Sequence, residues 1–107
     1  MLPPPTLFEV ADSSGTSRVP ARGPTIRVGR APDNDIVLSD EPTVSRLHAE
    51  LVNDGVAWSV RDLGSHNGTH INGVRLDGDE VGNVGADDVI GVGNVTIRLV
   101  AEVETGA

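Results

Sequence analysis

No window of this chain holds apolar residues at i, i+3, i+4 and i+7 without a Gly or Pro breaking the pattern, so amphipathic helices are not its building blocks. What recurs instead is a two-residue alternation in short pieces. Val56, Trp58 and Val60 alternate with Ala57, Ser59 and Arg61, which predicts a strand with one buried and one wetter face. Leu47, Ala49 and Leu51 repeat the pattern upstream, and Asn53-Asp54-Gly55 between the two runs is a hairpin signal. Ile26 and Val28 alternate with Arg27 and Gly29. Near the end, Val95, Ile97, Leu99 and Ala101 share one face and Thr96 and Arg98 the other. Asn67-Gly68 and Asn72-Gly73 are further turn signals, spaced for a very short strand over Thr69 to Ile71. Many short strands with frequent turns predict an all-β sandwich or barrel.

The length of 107 residues allows one core, and with Phe8 and Trp58 as the only aromatics that core is built from Val, Leu, Ile and Ala. There is no cysteine, which excludes disulfides, thiolate catalysis and thiolate-bound metals. No apolar run approaches the roughly 20 residues of a membrane span, so direct membrane insertion is not expected. The net charge of −8 argues against nucleic acid or an anionic lipid surface as partner. All eight cations are Arg, so a phosphate site here must be a local set of guanidinium forks against an acidic background. Residues 1–5 read as a Pro-rich lead-in, 6–101 as the folded domain and 102–107 as a flexible tail. The start has neither the basic nor the apolar region of a secretory signal, so a cytoplasmic location is expected.

Three polar clusters carry residue types unusual for ordinary turns. The first is Val28-Gly29-Arg30 followed by Asp33-Asn34-Asp35; the second is Val44-Ser45-Arg46-Leu47-His48. The third runs from Asp62-Leu63-Gly64-Ser65-His66-Asn67-Gly68-Thr69 into Asn72-Gly73. Together they offer guanidinium forks, a hydroxyl, a side-chain amide and Gly-freed N–H groups, which suits a tetrahedral oxyanion. They contain no nucleophile with its base, so no enzyme activity is expected. His66 and His70 sit in a Gly-containing turn where i, i+4 helical geometry is unavailable, and no third ligand is sensibly spaced, so neither a metal nor any other cofactor is expected.

In order, spacing and identity these clusters resemble the forkhead-associated (FHA) domain family over roughly residues 25 to 76. The resemblance implies a two-sheet β-sandwich of about eleven short strands with ligand loops at one end. It also implies a phosphothreonine-dependent interaction module that docks phosphorylated proteins in Ser/Thr kinase signalling. On that likeness Arg30 contacts the phosphate, Ser45 donates its hydroxyl, and Arg46 adds charge beside them. Asn67 holds the peptide main chain, and His66 reaches toward the phosphothreonine or its neighbours. Gly29, His48, Gly68, Thr69 and Asn72 are implied to be framework positions of the site, with His48 bracing the loops. The partner implied is a phosphothreonine segment of a kinase substrate, bound by a monomer or weak dimer.

Plainer readings stand beside these. Arg30 could pair with Asp33 or Asp35, Ser45 could be a turn hydroxyl, Arg46 a solvated charge, and His66 an exposed loop residue. Asn67 could be a hairpin residue tolerating positive φ. A phospho-independent module that dimerises through a sheet face or edge is the alternative function. Charge-assisted hydrogen bonds worth roughly 1.5–3 kcal/mol each, offset by ordering a flexible peptide, suggest a dissociation constant near the micromolar range, about 8 kcal/mol.

Overall fold

A computed structural model describes residues 6–101, and the lead-in over 1–5 and the tail over 102–107 lie outside that range. The alternation in the sequence becomes eleven strands with no helix among the described residues. These are β1 (Thr6–Asp12), β2 (Gly15–Pro20), β3 (Thr25–Gly29), β4 (Ile36–Val37), β5 (Ala49–Asn53) and β6 (Trp58–Asp62). They continue with β7 (Thr69–Ile71), β8 (Val74–Arg75), β9 (Val81–Val84), β10 (Val89–Val92) and β11 (Val95–Ala101). One sheet runs β2-β1-β11-β10-β7-β8 and the other β4-β3-β5-β6-β9. The inner faces supply one core, in which Phe8 and Val10 of β1, Ile90 and Val92 of β10, and Val95 and Ile97 of β11 meet Val28, Ala49, Leu51 and Val60. Phe8 and Trp58 join the two sheets edge to face, with ring centroids 5.1 Å apart and an interplanar angle of 79°.

The outer face of the second sheet carries a cross-strand charge ladder. Glu50 on β5 stands opposite Arg27 on β3 and Arg61 on β6. Its carboxylate accepts from Arg27 Nε at 3.3 Å and Arg61 Nε at 3.0 Å. This pairing explains how a glutamate can be buried on an outer face.

Two expectations need correction. Val56 is 87% exposed, because β6 begins only at Trp58. The carboxylate of Asp54 accepts from the N–H groups of Val56 and Ala57, both at 2.9 Å, and so keeps them in the hairpin turn. Leu47 is likewise exposed and lies in the loop before β5, where the chain is committed to the polar end of the sandwich. The Asn72-Gly73 signal reads true: both residues have positive φ, 52° and 84°, and close the β7–β8 hairpin.

One connection shapes the binding end. β3 and β4 pair in parallel while every other strand pair is antiparallel. The chain therefore doubles back over residues 30–35, which puts Arg30 and Asn34 on a compact loop beside the loop that leads from β4 to β5.

Candidate functional site

Arg30, Ser45, Arg46, His66 and Asn67 come from three loops: β3–β4, β4–β5 and β6–β7. Hydrogen bonds between loops, mostly to main-chain groups, hold these residues together. Arg30 N–H donates to the Ser45 carbonyl at 3.0 Å, and Ala31 N–H to the Arg46 carbonyl at 3.1 Å. The Arg30 side chain also donates through Nε to the Val44 carbonyl, which aims the rest of its guanidinium outward. Gly29 lies against this crossing so closely that a Cβ would overlap the Arg46 carbonyl. Any side chain at position 29 would push the first two loops apart.

Ser45 links the second loop to the third. Its Oγ accepts from His66 N–H at 2.9 Å, which leaves the hydroxyl hydrogen free to donate outward. Asn67 Nδ2 donates to the Thr43 carbonyl at 2.8 Å, fixing the amide at the rim. Asn67 does not have positive φ; that conformation falls on Gly68, at 84°. His66 and Asn67 are both exposed.

Beneath these residues sits His48, fully buried. Its Nδ1 accepts from Ser45 N–H at 3.0 Å, so Nε2 must carry the hydrogen and donate to the Gly68 carbonyl at 2.8 Å. One neutral ring thus ties the second loop to the third. Thr69, also fully buried, donates its hydroxyl to Asp62 Oδ1 at 2.7 Å. Asp62 accepts in addition from the N–H groups of Gly64 and Ser65 and from the Ser65 hydroxyl. Burial alone would push the Asp62 carboxyl up; the Ser65 and Thr69 hydroxyls and the Ser65 N–H outweigh it and hold it below the ordinary range. Asn72 stands apart from these loops. It ties the β7–β8 turn to the start of β10 through Asp88 and Val89.

Arg30 and Arg46 line an open concavity of about 160 Å³ with Ala31, Pro32 and Ser39. Among the described residues neither guanidinium pairs with a carboxylate, whereas Arg18, Arg27 and Arg61 all do. Asp35 is occupied instead with Arg27 N–H, at 2.9 Å, so pairing with Arg30 is not its role. Two partners escaped the sequence reading. Asn34 Nδ2 donates to the carbonyls of Ala31 and Arg46, at 2.9 and 2.8 Å. Thr43, besides receiving Asn67, accepts Asn94 N–H on its hydroxyl at 2.8 Å, which brings the β10–β11 turn to the site. Asp62 with Gly two positions on was a visible Asx-turn signal, and Asn34 lay in the first polar cluster without a role of its own; Thr43 offered no signal.

The FHA domain family model matches residues 26–93, the stretch that contains all of these loops. The chain belongs to the FHA domain family. It is 48% identical over 64 residues to the glycogen accumulation regulator GarA of Mycolicibacterium smegmatis, covering 54% of this chain and 40% of that protein. The FHA domain of the CT664 protein from Chlamydia trachomatis superposes with a TM-score of 0.82 at 27% identity, covering 92% of this chain and 99% of that one. Mycobacterium tuberculosis EmbR in complex with a low affinity phosphopeptide gives a TM-score of 0.76 at 29% identity, over 90% of this chain and 24% of that one. The chain spans less than half the length of the curated relatives it matches.

The tautomer of His48 has a pH consequence for this FHA domain. Burial, partly opposed by the Gly68 carbonyl and the charge of Asp62, lowers the pKa of His48 from its ordinary 6.5. As pH falls below that value the unfolded chain takes up a proton that the folded ring still refuses, so the unfolded state gains. Stability is therefore expected to be full above about pH 6.5 and to decline below it toward the folded pKa. Urea unfolding midpoints across this range read the slope, and a flat profile would show that the folded ring takes up its proton as readily as the unfolded one.

Proposed function

We propose that this FHA domain, over residues 6–101, is a non-catalytic module that docks phosphothreonine segments of partner proteins in Ser/Thr kinase signalling. Arg30 and Arg46 bind the phosphate, the Ser45 hydroxyl donates to one of its oxygens, and His66 lines the approach. Asn67 holds the peptide main chain, while Gly29, His48, Gly68 and Thr69 fix the loops, with Asn72 bracing the sheet behind them. The observation that carries this reading is the pair of guanidiniums free of carboxylates beside a hydroxyl whose hydrogen is free, on loops locked by internal bonds. A phosphate of about −1.5 to −2 charge is the group such a set favours, and locked loops leave little ordering to be done on the protein side. The EmbR complex with a phosphopeptide supports the same choice. The module needs no cofactor and acts in the cytoplasm, where such kinases meet their substrates. Among the described residues no helix is long and apolar enough to cross a membrane.

The test is titration of phosphothreonine, phosphoserine and unmodified versions of a peptide library by fluorescence anisotropy. Binding confined to phosphorylated peptides and strongest for phosphothreonine is expected, with Ser45→Ala weakening it by about tenfold, the worth of one charge-assisted bond. Equal binding of unmodified peptides, or none of any kind, overturns the assignment. It would turn attention to self-association through the edge strands β8 and β9, where Val74 and Val81 are 70% and 56% exposed.

A further inference from the structure

Arg75, which the motifs of the sequence left aside, ends the short strand β8 next to the site. Register places it opposite His70 on β7, and its side chain runs back along the hairpin toward the binding loops. It comes so near Gly68 that a Cβ there would stand 2.6 Å from Arg75 Nε and 2.9 Å from Cζ. Gly68 follows Asn67 directly and is held from below by His48. The guanidinium of Arg75 therefore rests against the backbone that presents the Asn67 amide. Arg75 is exposed, and among the described residues it pairs with no carboxylate.

Arg30 and Arg46 share one concavity, and Arg75 lies against a different loop, beside Asn67. In a chain of net charge −8, three uncompensated cations around one set of loops form a positive rim with two separate poles. A single phosphate on Arg30 and Arg46 leaves the second pole empty. We infer that Arg75 is a specificity residue that selects an Asp or Glu carboxylate flanking the phosphothreonine, on the part of the peptide that Asn67 holds. This rests on the docking function proposed above and adds a preference to it. The planar fork suits a carboxylate, and a rim-exposed pair of this kind contributes modestly and in a salt-dependent way.

The experiment compares phosphothreonine peptides carrying Asp or Ala at each flanking position in turn, against wild type, Arg75→Gln and Arg75→Lys. The readout is the ratio of the two affinities at each position, which general loosening of the loops would leave unchanged. One flanking position is expected to show an acidic preference of about fivefold in the wild type, shrinking at high salt. Arg75→Gln brings that ratio to one, and Arg75→Lys retains part of it. A wild-type ratio of one at every position overturns the inference, as does an acidic preference that survives Arg75→Gln. Either result leaves the docking function standing if binding still requires the phosphate. Loss of phosphate dependence itself overturns both.

Discussion

Arg30→Ala is expected to lower affinity for a phosphothreonine peptide by about tenfold to a hundredfold, the largest effect of any single exposed side chain at the site. The fork would make charge-assisted bonds worth roughly 1.5–3 kcal/mol to a phosphate, and no neighbouring cation reaches the site through the same main-chain anchor. That anchor, the bond from Nε to the Val44 carbonyl, is what holds the fork in position before ligand arrives. The folded state depends on it little, because Arg30 is exposed and its main-chain N–H keeps its partner, the Ser45 carbonyl. Anisotropy titration and a urea melt on the same preparation separate the two effects. A change in affinity smaller than about threefold, with the fold intact, would remove Arg30 from the phosphate site.

His48→Ala acts on stability instead, and strongly. The ring is fully buried and has a partner at each nitrogen. Truncation leaves a cavity, an unsatisfied Ser45 N–H and an unsatisfied Gly68 carbonyl at once. Together these are expected to cost about 3–5 kcal/mol, a large part of the stability of a small domain. The loss is read as a drop in the urea midpoint with unchanged denaturant slope. A cost under about 1 kcal/mol would mean that the two loops hold their places without the imidazole.

Much of the architecture can be read in the sequence because strands announce themselves by alternation. Val95, Ile97 and Leu99 are buried while Thr96 and Arg98 are exposed, as the period of two requires. The reading fails where side chains of the turn take over. Val56 continued the alternation on paper, yet Asp54 captures its N–H, and the strand begins only two residues later, at Trp58. At the site, the donors were legible as residue types. Of their supports, His48 was expected to brace the loops only through the family resemblance, and Asn34 and Thr43 were given no role, because they act on main-chain groups of other loops, and a carbonyl leaves no mark in a sequence. Arg75 was hidden for a related reason: its neighbour is a glycine, defined by what it lacks.

Thr43 receives Asn67 on its carbonyl and Asn94 on its hydroxyl, groups 24 and 51 positions further along the chain. Order at this one residue therefore waits on nearly the entire polypeptide. Such distant closures make folding slow, and during synthesis they place completion of the site last. Until β10 and the turn after it have been made, the Thr43 hydroxyl lacks the Asn94 N–H that holds it.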